Sequence, residues 1–206
     1  NEYIYTGLNG FLMKLCHQSL EKKLDKSSYP KILEIGPGTF PHLEYIKHQF
    51  EEYYILETSD FAINQLKNNK KFIITKYDGK TIPYSNNFFD RIIMSHVLEH
   101  IENFEDYIFK VLDKLNNGGI LSIALPTDPG ILWRLGRHYN RIFNIKKIQL
   151  NKRQYDYMHS TEHINSIFNL KNVIFYHFKD RLVESYEPFK IKSLDLNLFY
   201  ILQIKK

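Results

Sequence analysis

Short apolar, β-branched runs alternate along this chain with stretches of helical period, and that alternation limits the fold more than any other feature. Residues 32–35, 53–56, 72–76, 91–94 and 120–125 each read as a short strand buried on both faces. Helical patterns lie between them at 42–49, 60–69 and 103–115. Asp60 suits the N-cap of the second, and residues 116–119, Asn-Asn-Gly-Gly, would stop the third because they tolerate left-handed backbone. Such alternation implies an α/β fold, a Rossmann-like, doubly wound and mostly parallel sheet with helices on both faces. Ligands on these sheets bind beyond the carboxyl ends of the strands, where the strand order reverses.

The 206 residues suffice for one domain with a full core. Residues 1–29 read as a helical cap over the sheet or its mouth. After Pro126 the alternation pauses. A helix is expected over 130–144, and another over 160–170 with Ser160 or Thr161 as its cap, so that 127–170 would form a helical lid. Residues 173–178 and 198–204 read as late strands in an antiparallel edge pair. Cys16 is the only cysteine, which excludes an internal disulfide and a cysteine-based zinc site. No segment approaches the ~18 apolar residues of a membrane span, and the N-terminus lacks a basic-apolar-small leader pattern, so a cytoplasmic protein is expected.

Chemistry concentrates first at Lys31-Ile-Leu-Glu-Ile-Gly-Pro-Gly-Thr39, where a buried strand breaks into two glycines one residue apart. Gly36 and Gly38 let backbone approach a ligand closely, and the N–H groups of a helix start follow near Pro41. Glu34 is a carboxylate in an apolar context and needs a partner. A nucleotide-like ligand with a cationic part would supply one, although the turn alone does not separate S-adenosylmethionine from a dinucleotide. Two more acids fall at the ends of the next strands. Glu57, 21 residues past Gly36, could take two ribose hydroxyls, and Asp78-Gly79 could hold an exocyclic amine and a ring nitrogen.

The ordered series Glu34-Ile-Gly-Pro-Gly38, Glu57, Asp78-Gly79, Ile82-Pro-Tyr84, Phe88-Phe-Asp-Arg91, Ser95-His-Val-Leu-Glu-His100 and Asn117-Gly-Gly119 resembles the class I S-adenosylmethionine-dependent methyltransferases, of the type-11 methyltransferase group. The resemblance spans residues 31–126. It implies that Glu34, Gly36 and Gly38 face the methionine part of S-adenosylmethionine, Glu57 the ribose, and Asp78 and Gly79 the adenine. Ser95 and His96 would line the wall near the sulfonium. Phe40 departs from the pattern, standing where the family usually has a third glycine.

His96-Val-Leu-Glu-His100 also spells the H-x-x-E-H string of inverted zinc peptidases. On a helix its histidines would share a face and could bind zinc. The string starts at a strand end inside a βαβ series, however, so no metal is expected and a zinc hydrolase on His96 and His100 is set aside. Glu99 and His100 then read as a packing and capping pair. A dinucleotide fingerprint fails at Pro41, and a phosphate loop ending at Gly79-Lys-Thr81 fails at Ile74.

The formal charge of +5 is located. Between Asp128 and Met158 lie Arg134, Arg137, Arg141, Lys146, Lys147, Lys152 and Arg153 against two acids, and the rest of the chain balances at 21 of each sign. An anionic partner is therefore expected at this segment. A small acidic acceptor (a phosphorylated metabolite, nucleotide sugar or sugar acid) methylated on O or N suits it, with Arg134, Arg137, Arg141, Tyr157 and His159 as binding candidates. His96 is the candidate base, with His138, Tyr139 and His163 as further catalytic candidates. RNA ranks below a small molecule because no added RNA-binding module is visible. A noncatalytic, methyltransferase-like partner protein stays open on account of Phe40. The oligomeric state is not legible.

Overall fold

The computed structural model describes residues 7–145 and 150–206. Five parallel strands, β1 (Lys31–Ile35), β2 (Glu52–Glu57), β3 (Phe72–Lys76), β4 (Phe89–Ser95) and β5 (Leu115–Pro126), are followed by β6 (Leu182–Glu187) and β7 (Phe199–Lys205). The sheet runs β3-β2-β1-β4-β5-β7-β6, with β7 antiparallel to both β5 and β6. The chain works outward from β1 to β3 and then crosses to β4, so strand order reverses between β1 and β4. Ile35 pairs with Met94 there, and the two chains leave the sheet side by side.

The helices are α1 (Gly7–Leu20), α2 (Asp60–Leu66), α3 (Phe104–Lys114), α4 (Ile131–Tyr139), α5 (Lys152–Glu162) and α6 (Ile167–Phe178). Alternate residues of each buried strand feed opposite faces. Ile32 packs with Met13, Cys16 and Leu20 of α1 and with Leu66 of α2. Leu33 and Ile35 turn the other way, toward Ile108 and Val111 of α3 and Leu170 and Ile174 of α6. The doubly wound sheet expected from the sequence is thus present.

Several local expectations differ. The helix expected over 42–49 is one 3₁₀ turn, His42–Tyr45, because Gln49 is drawn into extended pairing with residues 27–29. Ser59, not Asp60, caps α2, accepting from the Ala62 N–H at 3.4 Å. Residues 116–119 begin β5 instead of forming a stop loop. A Cβ on Gly119 would come 2.9 Å from the Asn116 carbonyl oxygen and 3.0 Å from that of Asp90, so this close strand approach needs the glycine. Ser160 and Thr161 sit in the last turn of α5, their hydroxyls donating back to Asp156 and Tyr157 carbonyls. Asn151 caps α5 and Ser166 caps α6.

Residues 173–178 are helical, not a strand. Ile167, Leu170, Ile174 and Phe178 recur at helical spacing and are all buried, and the edge partner of β7 is β6. The segment expected as a lid divides accordingly. Between Ile131 and Glu162, among the described residues, only Tyr155 is buried, whereas from Ile167 onward the chain belongs to the core. Lys146 and Lys147 lie outside the described residues.

Candidate active site

The turn after β1 is shaped by backbone constraints on two glycines. Gly36 has φ of 64°, donates to the Leu56 carbonyl at 2.8 Å, and would bring a Cβ within 3.1 Å of Val97 Cγ2. Gly38 has φ of 60° and open space where its Cβ would stand. Its N–H donates to Glu57 Oε2 at 2.9 Å. Glu57 Oε1 meanwhile accepts from Thr58 and Ser59 N–H at 2.7 and 2.9 Å. The carboxylate at the end of β2 is therefore fixed beside the glycine turn by backbone donors.

Glu34 faces inward. Both of its oxygens lie 2.9 Å from the His42 N–H, and Oε2 accepts from the Tyr53 hydroxyl at 2.6 Å. Burial pushes its carboxyl up to about 7, with the Tyr53 and His42 bonds opposing that rise. At 1% exposure, its carboxyl does not reach the surface of the crevice.

Behind it lies a network that the sequence did not reveal. Arg91, fully buried, donates to Glu21 Oε1 at 2.6 Å, to Ser122 Oγ and to the Leu20 carbonyl. Glu21 also takes the His42 Nε2–H at 2.7 Å and the Lys47 N–H at 3.0 Å. Burial holds His42 below its usual range, and with its Nε2–H given to Glu21 its Nδ1 meets His17 Nδ1 at 2.9 Å.

Asp78 is solvent-exposed and caps its own loop, taking the Lys80 and Thr81 N–H groups at 2.8 and 2.7 Å. These donors hold its carboxyl below the usual range. Gly79 follows with φ of 79°. At the end of β4, Ser95 Oγ is buried without a hydrogen-bond partner. His96 adopts φ of 56° and donates its N–H to the Ala124 carbonyl at 2.9 Å. A left-handed, non-glycine residue at a strand terminus is the kind of strain found at functional sites. The H-x-x-E-H string consequently has no helical register; Leu98–His100 is a single 3₁₀ turn.

On the other side of the crevice the candidates separate. His163 Nδ1 bonds Asp128 Oδ2 at 2.8 Å, and Arg137 reaches the other oxygen at 3.6 Å. Burial opposes protonation of His163, yet the Asp128 bond prevails and raises it above its ordinary value. Arg141 forms a two-pronged pair with Asp156. His159 is pushed down to about 4 by burial and by Arg137, and its buried Nδ1 lacks a partner. Arg134, His138, Tyr139 and Tyr157 are exposed, Tyr139 leaning on the Phe143 ring. Asp128 was not singled out from the sequence, although the rule that picked Glu34, Glu57 and Asp78, an acid at or just past a strand end, applies to it after β5.

The profile of the methyltransferase domain family matches residues 8–172. Among curated proteins, no sequence matches this chain. Among solved structures, an S-adenosylmethionine-dependent methyltransferase of Mesorhizobium loti is similar over 97% of this chain and 100% of its own, with a TM-score of 0.64 and 13% identity. One from Thermotoga maritima, described as a possible histamine N-methyltransferase, covers 100% and 94% with a TM-score of 0.65 and 16% identity. The plantazolicin methyltransferase, solved with S-adenosylhomocysteine and a pentazolic desmethylPZN analogue, covers 100% and 88% with a TM-score of 0.67 and 15% identity. With most of its length inside the family profile and its sheet ordered around the β1–β4 reversal, this chain belongs to the methyltransferase domain family and has the fold of class I S-adenosylmethionine-dependent methyltransferases.

Proposed function

We propose that the protein transfers a methyl group from S-adenosylmethionine to an O or N atom of a small acceptor that carries an acidic group. The observation that carries this reading is the convergence of the Gly36–Gly38 turn, Glu57 and Ser95 on the point where strand order reverses. The residues fit the cofactor. Gly38 leaves open the space a Cβ would fill, and the buried Ser95 hydroxyl lacks a partner. When bound, the cofactor supplies a methyl group already activated on a sulfonium. Glu57 would hold the ribose hydroxyls, and the Asp78–Gly79 loop would border the adenine.

What remains for the chain is alignment of the acceptor, a contribution of up to roughly 7–11 kcal/mol in favourable systems. His96, fixed at the end of β4, serves as base when the acceptor is a hydroxyl, for about 10²–10⁴-fold. The acidic group on the acceptor is supported by the basic excess of residues 128–158. Arg137 and Arg141 are engaged with Asp128 and Asp156, which leaves Arg134 as the arginine of α4 exposed to meet it. Turnover of labelled S-adenosylmethionine with matched acidic and neutral acceptors tests the reading. Preference for the acidic member, with KM raised in Arg134→Ala, supports it; equal turnover of neutral partners, or of an RNA pool, overturns it.

A further inference from the structure

The H-x-x-E-H string contains a buried carboxyl group, that of Glu99, with no hydrogen-bond partner among the described residues. Glu99 is 1% exposed. A buried carboxylate without donors is costly unless a cation or proton meets it. The groups that approach it are imidazoles: His96 Nδ1 at 3.6 Å and His100 Nε2 at 3.9 Å, both from Oε1. Glu99, His100 and His163 each offer a ligand atom, and the three atoms lie within 4.8 Å of one another.

The two imidazoles of that set are aimed from outside. His100 Nδ1–H donates to the Glu162 carbonyl at 2.6 Å. His163 Nδ1–H donates to Asp128, which Arg137 supports in turn. Each ring then keeps Nε2 for a ligand, the outer-shell arrangement that orients metal-binding histidines. Backbone also locks the two segments together. Ile164 and Asn165 N–H donate to the Glu99 carbonyl at 3.0 and 3.1 Å, and the Asn165 amide bridges the Leu98 and Ile101 carbonyls.

We propose that Glu99, His100 and His163 bind one divalent transition-metal cation, with His96 flanking it. Two imidazole nitrogens and one carboxylate suit zinc, manganese or iron(II) and not calcium or magnesium. This reverses the sequence-based expectation of a metal-free site. The reversal comes from His163, which joins the set from a segment remote in sequence. Three protein donors leave coordination positions open beside His96. On the methyl-transfer reading those positions take an acceptor oxygen, while the cation binding itself stands apart from that reading.

Untagged protein stripped with chelator and titrated with zinc chloride by calorimetry tests the proposal, with cobalt(II) absorption reporting coordination. One zinc per chain is expected, weakened roughly tenfold or more in His163→Ala and in Glu99→Gln. His177→Ala, a histidine facing Glu105 elsewhere on the surface, should bind like wild type. Absence of stoichiometric zinc in wild type, or unchanged affinity in a folded His163→Ala protein, overturns it. A parallel S-adenosylhomocysteine titration separates the two readings: zinc bound without the nucleoside leaves the metal site standing alone, and the converse leaves the cofactor site.

Discussion

Replacing Glu21 with Gln should cost about 3 kcal/mol of stability, and two independent routes give that figure. Glu21 is buried together with Arg91 and His42, and its Oε1 receives both. Burial alone would raise its carboxyl; the His42 hydrogen bond and the Arg91 charge overcome that and hold it at about 2 instead of 4.5. A displacement of that size corresponds to about 3 kcal/mol of preferential stabilisation of the folded ion. Removing one member of a buried pair costs about 3–5 kcal/mol, because the partner charge is left without compensation. For a chain of this length the loss lowers Tm by roughly 6–12 °C. The folded-state value is depressed, so the stabilisation is complete above pH 4.5 and disappears as pH falls toward 2. Urea unfolding of wild type and Glu21→Gln should accordingly show a full gap at pH 7 and less than about half of it at pH 3. A gap below about 1 kcal/mol, or one that persists unchanged on acidification, would refute the assignment of Arg91 and His42 as the groups that hold the carboxylate.

Glu57→Ala should weaken S-adenosylhomocysteine binding roughly tenfold or more by calorimetry, a loss of about 1.4 kcal/mol; unchanged affinity removes the ribose assignment. Glu34, held neutral up to about pH 7 by burial, must lose its proton to favour a ligand cation beyond the glycine turn. Affinity for S-adenosylhomocysteine should therefore rise as pH increases through 7 and then level off, and Glu34→Gln should flatten that profile. Gly36→Ala and Gly38→Ala both force a left-handed alanine, at about 1–2 kcal/mol each. Only at Gly36 would the new methyl meet a neighbour, Val97. Gly36→Ala should thus lose more in thermal denaturation, whereas Gly38→Ala, pointing into open space beside Glu57, should lose more in nucleoside binding.

The central strands were legible because burial on both faces writes them as unbroken apolar runs, as in Ile32 to Ile35. The same property misled at residues 173–178, where six residues are too few to separate a strand from a buried helix face. The deciding signal was upstream, in the Ser166 cap and in the spacing of Ile167, Leu170 and Ile174. β6 was hidden for the opposite reason, since two glutamates interrupt it. Their partners are remote: Glu187 meets Ser19 and Lys22, and Glu184 meets Lys171 and Lys192. Side-chain direction was not legible at all. Glu34 stands at the strand end where its spacing puts it, yet its carboxylate turns inward because His42 N–H and the Tyr53 hydroxyl are there to receive it.

Four acids, Glu34, Glu57, Asp78 and Asp128, occupy equivalent places just past or within the ends of consecutive or neighbouring strands, and topology alone would give them one task. Their surroundings give them four. Glu34 is almost wholly buried, so burial outweighs its Tyr53 and His42 donors and pushes its carboxyl up to about 7. Glu57 is nearly as buried but gathers Gly38, Thr58 and Ser59 N–H groups, which join the β1 and β2 turns around a fixed anion. Asp78 also collects backbone donors, but in solvent, and it shapes a loop. Asp128 meets an imidazole and a guanidinium, so its charge orients His163 toward Glu99. The sheet decides where each carboxylate stands; the donors within reach, weighed against burial, decide whether it joins two turns, shapes a loop, is pushed up by burial or positions an imidazole.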